Sequence, residues 1–367
     1  MEMNTESVLA ALSTVKDPAT GLDLVSLNFV RDLVIEGGRV GLTLLINTPA
    51  FPSKLLLEGA ARSVLSGLPG VDRVDIKLEV AIPRASGAEG KQSVPGVGNI
   101  IAVSSGKGGV GKSTVAVNIA VALAQFGARV GLLDTDVYGP NVPIMMGLTQ
   151  EPIVKAQKLL PLEAYGVKVM SLGFLNPGDK PVVWRGPMLH TAVRQFLYDV
   201  EWGDLDYLVV DMPPGTGDAQ LSLAQLVPVQ GAVLVTTPQA VALADVRKAF
   251  RMFEQVHVPI LGIVENMSYF VCPGCSARHE IFGSRGGEDL AKSFNSTLLG
   301  RIPFSINIRE GGDGGVPIVA AEPEGPQALC FLQIADNVAS QLGLLALAGS
   351  ALPIMDMSDN RGDRFVV

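Results

Sequence analysis

The run Gly106-Lys107-Gly108-Gly109-Val110-Gly111-Lys112-Ser113-Thr114 stands directly after the apolar stretch IIAVSS and opens a helical pattern. It contains the full G-x-x-x-x-G-K-[ST] spacing in the strand-to-helix context that gives the spacing its physical meaning. The glycines let successive backbone N–H groups turn inward around phosphates, and the helix N-terminus adds partial positive charge. Lys112 then reaches the terminal phosphates, and the Ser113 hydroxyl is placed for Mg²⁺. Residues Gly106 to Thr114 thus predict an ATP site. They also commit the surrounding chain to a parallel sheet, because such loops bind ligands at the carboxyl ends of parallel strands.

The rest of the chain agrees. From Asn99, short non-alternating apolar runs (RVGLLDTD, DYLVVDMP, GAVLVTT, PILGIVEN, STLLGRIP) alternate with helical segments, the last expected over Gln327 to Leu342. Such runs read as strands buried on both faces and joined by crossover helices. The predicted fold is a doubly wound, mostly parallel α/β P-loop NTPase domain over 99–345, with a loosely held tail at 346–367. Before it, residues 1–83 read as a small α+β domain of αββαβ order, with a strand expected over Leu24 to Ile35. Residues 84–98 (SGAEGKQSVPGVG within them) have the Gly, Ser and Pro content of a linker.

Carboxylates at strand ends supply the remaining chemistry. LLDTD presents Asp134 and Asp136, and LVVD presents Asp211, each just past an apolar run. Asp211 is expected to hold Mg²⁺ through its water shell, Asp136 to orient the attacking water, and Asp134 to line the nucleotide site.

Charge and cysteine usage exclude several classes. A net charge of -8 opposes a surface built wholly for nucleic acid or an anionic membrane. Three cysteines in 367 residues are no disulfide framework, and the start MEMNTESVLAALS lacks the features of a signal peptide. The reading is a cytoplasmic protein with no nucleic-acid or membrane partner. Cys272-Pro273-Gly274-Cys275 places two thiolates on one tight turn, able to share an iron-sulfur cluster or a zinc ion with His279 nearby, or to serve as a redox dithiol or a structural pair. Cys330, in ALCFLQIA, is expected in the core.

The loop KGGVGKST, with its early Lys107, resembles the deviant P-loop of the MinD, ParA and nitrogenase iron-protein superfamily. That resemblance gives Lys107 a catalytic role beside Lys112, touching the nucleotide of a partner subunit. DTDVYGPNVPIMMG, WRGPM, DMPPGTGD, VENMSYFVCPGC and GGDGGVPIV resemble one branch, the Mrp/ApbC iron-sulfur cluster carriers, across most of 99–344. KDPATGLDLVSLNFV resembles the small domain that precedes the ATPase in bacterial members. Relatives of that domain often carry a cysteine near its second helix, where this chain reads Thr48-Pro49-Ala50-Phe51-Pro52, so the front domain is expected to bind no cluster itself.

The resemblance implies that DMPPGTGD is the phosphate-sensing switch, with Gly215 and Gly217 giving it freedom, and that Asn266 recognises adenine. Trp184, Arg185 and Asp313 match the family without a role that the residues reveal. Two cysteines in the motif of each chain against about four ligands for a [4Fe-4S] cluster imply a homodimer with the cluster bridged between subunits. The expected function is a slow ATP hydrolase that carries the cluster from assembly scaffold proteins to apo iron-sulfur proteins. The alternatives are a spatial-organising ATPase of the MinD/ParA kind and a zinc-containing regulatory ATPase.

Overall fold

The computed structural model describes residues 4–18, 20–46, 51–82, 92–137, 139–155, 157–175 and 186–350. In chain order the front unit holds α1 (Thr5–Leu12), β1 (Val30–Glu36), β2 (Arg39–Ile46), α2 (Phe51–Ser66) and β3 (Arg73–Val80). Asn4 starts α1 with a reciprocal capping box: its Oδ1 accepts the Ser7 N–H at 2.8 Å, and Ser7 Oγ accepts the Asn4 N–H at 3.1 Å. Gly37 and Gly38, at φ 50° and 86°, turn β1 antiparallel onto β2. The crossover through α2 then sets β3 parallel to β2. Val8, Leu12, Leu42, Leu44, Leu57 and Leu65 form the core of this unit. The first strand begins at Val30, later than the expected Leu24. Asp23 Oδ1 accepts the N–H groups of Val25 and Ser26, which commits that stretch to turns before the strand can start.

The large unit begins with β4 (Val97–Ser105), α3 (Lys112–Gln125), β5 (Val130–Asp134) and α4 (Val142–Met145). A short hairpin, β6 (Val154–Lys155) and β7 (Lys158–Leu159), leads to β8 (Leu162–Ala164) and β9 (Val167–Ser171). There follow α5 (Gly186–Tyr198), β10 (Leu205–Asp211), α6 (Asp218–Leu226), β11 (Gly231–Thr236), α7 (Ala240–Gln255) and β12 (Ile260–Glu265). A second hairpin, β13 (Phe270–Val271) and β14 (Arg278–His279), precedes α8 (Gly286–Ser293), β15 (Leu298–Arg301), α9 (Ile306–Asp313), α10 (Ile318–Ala321) and α11 (Pro326–Ser350).

The sheet runs β15-β12-β11-β4-β10-β5-β9-β8, parallel except for the edge strand β8. Successive residues of β4 supply both faces. Ile101 and Val103 join α3 and α11 in one core, while Ile100 and Ala102 join α5, α6 and α7 in the other. This two-sided burial is why the strands read as continuous apolar runs. β4 starts at Val97, inside the expected linker, and α11 continues to Ser350, past the expected Leu342. Residue 83, residues 84–91 of the linker, 351–367 of the tail, 47–50 before α2, and Trp184 and Arg185 lie outside the described residues. The segment Pro326–Ala346 of α11 is long and apolar enough by composition to cross a membrane, and its inward face packs on α3 and β15.

Because the strands are parallel, Ser105, Asp134, Asp211, Thr236 and Glu265 all end at one edge of the sheet. The loop after β4 lies there between the neighbours β10 and β11, with β5 one strand further, at the point where the winding reverses.

Candidate functional site

The phosphate loop leaves β4 at Ser105, whose Oγ donates to the Lys107 carbonyl at 2.9 Å. Gly109 and Gly111 have φ of 78° and 83°, a region closed to most side chains, and Gly111 sits at the N-cap of α3. A Cβ at Gly106 would collide with the backbone of Asp245 and Val246. Lys107 is half-exposed and forms no ion pair among the described residues, so its ammonium is available to a ligand.

Lys112, by contrast, is buried. Its Nζ lies 2.6 Å from Asp211 Oδ1, 3.4 Å from Asp136 Oδ2 and 3.2 Å from Ser113 Oγ. Burial by itself would lower its pKa, but Asp211 and Asp136 outweigh that and raise it, so the ammonium stays charged. Asp134 is fully buried. Its Oδ2 accepts from Ser171 Oγ at 2.8 Å and its Oδ1 from the Asp136 N–H at 3.0 Å. Loss of solvent, followed by the negative charge of Asp211, pushes Asp134 up to about 8. Asp211 is also raised, because burial outweighs the pull of Lys112. Among the described residues three buried carboxylates face one lysine, an excess of negative charge that a proton on Asp134 relieves.

The Asp211 Oδ2 atom is buried with no hydrogen-bond partner among the described residues. An orphaned carboxylate oxygen beside the Ser113 hydroxyl suits a hydrated Mg²⁺, a hard cation that takes oxygen ligands and keeps several waters. The Asp211 backbone is held as well: its carbonyl accepts from the Thr135 N–H at 2.9 Å and the Thr135 hydroxyl at 2.8 Å. Sequence reasoning missed Thr135 and Ser171. The signal was available only for Thr135, which lies between two aspartates.

The DMPPGTGD segment, expected to be the switch, is tied to the end of β4 at Gly215, whose N–H donates to Ser105 O at 2.9 Å and whose φ of 97° favours glycine. Gly217 has an ordinary φ of -80° and caps α6, so left-handed freedom belongs to Gly215 alone. Asn266 lies beneath the phosphate loop. Its Nδ2 donates to the Val110 carbonyl at 2.9 Å, and a Cβ at Gly111 would strike the same nitrogen. One N–H of the amide expected to face adenine is therefore taken up by the loop, leaving the second N–H and Oδ1. Next to it, Glu265 is fully buried and accepts from Ser268 Oγ and the Gly287 N–H, both at 2.5 Å.

The Cys272–Cys275 turn caps the β13–β14 hairpin. Cys272 N–H donates to Ala277 O at 2.9 Å, and Ser276 N–H returns to Cys272 O at 2.8 Å. The N–H groups of Gly274 and then Cys275 point at Cys272 and hold its thiol below the usual range, favouring the thiolate that binds metal. Cys275 is exposed. Among the described residues no third carboxylate, histidine or thiol joins the pair, His279 included. Cys330 is not in the core as expected. Its neighbours Phe331 and Ile334 take the buried face of α11, and Cys330 is left half-buried with its Sγ donating to Pro326 O at 3.2 Å. Trp184 and Arg185 lie outside the described residues, while Asp313 pairs with Arg309 at 2.9 Å on the surface of α9.

This arrangement has known counterparts. Residues 96–339 match the NUBPL iron-transfer P-loop NTPase family, and residues 5–78 match the iron-sulfur cluster assembly protein family. An iron-sulfur cluster carrier protein of Synechocystis is 51% identical over 351 residues, covering 94% of this chain and 99% of the relative. One from Escherichia coli is 49% identical over 288 residues, 78% of each chain. A nucleotide-binding protein from Archaeoglobus fulgidus, solved with ADP, is 41% identical with a TM-score of 0.57, covering 64% of this chain and 92% of that one. The cell division ATPase MinD of Pyrococcus furiosus is 26% identical with a TM-score of 0.51, covering 66% of this chain and 99% of that one. The two family matches fall on the two units of the chain in order, and together with the buried lysine-carboxylate site they decide its place: the chain belongs to the NUBPL iron-transfer P-loop NTPase family, with an iron-sulfur cluster assembly domain in front.

Proposed function

We propose that the protein is an iron-sulfur cluster carrier that binds and slowly hydrolyses ATP and passes a [4Fe-4S] cluster, bridged across a homodimer, to apo iron-sulfur proteins. The observation that carries this is a two-thiolate hairpin with no third ligand among the described residues, on the same domain as a complete phosphate loop. A cluster that wants about four cysteines is satisfied by two copies of the pair related by a two-fold axis. The apolar side chains of Val271, Ile281, Phe304 and Ile306 around the hairpin are exposed and suit such a face. Free thiols on a hairpin this open fit a reducing cytoplasm.

At the nucleotide, Lys112 exchanges its bond to Asp211 for the β- and γ-phosphates, and the N–H groups of Gly108 to Ser113 cradle them. Ser113 and Asp211 would hold Mg²⁺ with its waters; when bound it neutralises charge on the phosphate oxygens. Asp136 orients water toward the γ-phosphorus; the bond to the bridging oxygen breaks, giving ADP and phosphate. Lys107 reaches the nucleotide of the partner subunit, and the Gly215 switch registers the loss of the γ-phosphate. Asn266 Oδ1 faces the base.

Anaerobic reconstitution with iron and sulfide tests the reading. The wild type takes up about four irons per dimer with a broad band near 400 nm, on the order expected for four-thiolate ligation. Cys272→Ala with Cys275→Ala loses the cluster and keeps ATP hydrolysis. Zinc without a cluster, or a cluster that survives both substitutions, overturns it.

A further inference from the structure

Only five residues separate Asn266, beneath the phosphate loop, from the metal-binding Cys272, and the connection has little slack. Asn266 N–H donates to Thr236 O at 2.8 Å, fixing its backbone to β11. Met267 follows at φ 52°, a sharp left-handed turn. Ser268 is buried, with its N–H on Ile302 O at 2.9 Å and its hydroxyl on Glu265. Tyr269 O accepts the Phe304 N–H at 2.7 Å, and the Arg278 guanidinium lies 3.9 Å from the Tyr269 ring centre. Phe270 pairs with His279 across the hairpin, and its ring lies 6.4 Å from that of Phe304. Cys272 then closes the turn onto Ala277. A segment tied at most of its residues moves as one piece.

The other end of this piece grips a particular peptide unit. Asn266 Nδ2 holds the Val110 carbonyl, and the N–H in the same plane is that of Gly111, one of the groups that form the phosphate nest. A peptide is planar and trans, so its C=O and N–H point in opposite directions and cannot be reoriented separately. Drawing the Gly111 N–H toward a phosphate therefore turns the Val110 oxygen against Asn266. The glycine leaves no room for slippage, because the amide nitrogen already fills the space a Cβ would take.

We infer that Asn266 is a positioning residue that reads the phosphate state through the Val110–Gly111 peptide and passes it along the Met267–Val271 segment to the cysteine hairpin. This rests on the carrier reading above and adds the means by which ATP alters the grip on the cluster. Binding can alter that grip only by favouring one of two arrangements of the segment.

The test uses the full-length protein reconstituted with iron and sulfide. The rate of iron loss to bathophenanthroline is followed with and without a saturating, non-hydrolysable ATP analogue. In the wild type the analogue changes this rate by about 5- to 150-fold, the usual span of coupling between two sites. Asn266→Asp keeps the size of the side chain and removes the donor; it loads cluster, and the ratio falls to about 1, the limit of no coupling. Met267→Gly leaves the nucleotide contacts in place but frees the turn, so analogue affinity is retained while the ratio again collapses. Hydrogen exchange of the Cys272–Ala277 amides, which responds to the analogue in the wild type, stops responding in both variants. A wild-type ratio in Met267→Gly overturns the inference, and that variant decides alone if Asn266→Asp fails to bind the analogue. Should the wild type take up no cluster, it is the carrier reading that fails, and hydrogen exchange still judges the coupling.

Discussion

Asp134→Asn in the nucleotide-free, EDTA-treated protein isolates the electrostatics of the site. Asp134 has an ordinary value of 3.8 in the unfolded chain and about 8 in the folded one, raised by burial and then by Asp211. Between those values the folded state binds one more proton than the unfolded state. Stability therefore falls as pH rises, by about 1.4 kcal/mol per pH unit for one proton. From pH 5 to pH 7 that amounts to about 2.7 kcal/mol. For a unit of this size a kcal/mol moves Tm by about 2–4 °C, so the wild-type transition of the ATPase unit should drop by roughly 5–10 °C from this source. Asparagine cannot titrate and keeps an acceptor for the Asp136 N–H, while its amide N–H faces Ser171, whose hydroxyl turns from donating to accepting. The variant should lose that part of the slope, match the wild type only below the unfolded value of 3.8, and be increasingly the more stable of the two as pH rises to 7. Calorimetry at half-unit pH steps measures it. Parallel Tm lines for the two proteins would refute the trapped proton.

Lys112→Ala removes the cation that pairs with Asp211 and Asp136, and fluorescent-nucleotide titration should find no ATP binding. Its fold should also lose about 3–5 kcal/mol above neutral pH, because the carboxylates are left buried and uncompensated. Gly111→Ala places a side chain at φ 83° and into the Asn266 amide. The backbone alone costs about 1–2 kcal/mol, and with the collision added, ATP affinity measured by calorimetry should fall at least tenfold, about 1.4 kcal/mol; unchanged affinity would show that the loop yields without loss.

Much of this protein is legible in the chain alone, for a physical reason. A phosphate loop works through backbone conformation and local spacing, so Gly106 to Thr114 carry their own geometry, and the apolar strands carry theirs through two-sided burial. Strand-end carboxylates such as Asp134 and Asp211 can be placed because parallel strands end at one edge. Local sequence stops short where a side chain's use depends on what folds against it. One N–H of the Asn266 amide is held by Val110, 156 positions earlier in the chain, a contact that no neighbouring residue announces. Cys330 sat in an apolar string, but the helix turns it off the core.

The sequence by itself determined that this is a nucleotide-binding α/β protein with a two-thiolate turn, since each of those features is built from neighbours along the chain. Only the tertiary structure decided that Lys112 rests on Asp211 and Asp136, that burial raises Asp134 far above an ordinary carboxyl, and that the phosphate loop and the cysteine hairpin share one short segment. Those depend on pairings between strands far apart in sequence, and burial energies are set by what packs around a group rather than by what precedes it in the chain.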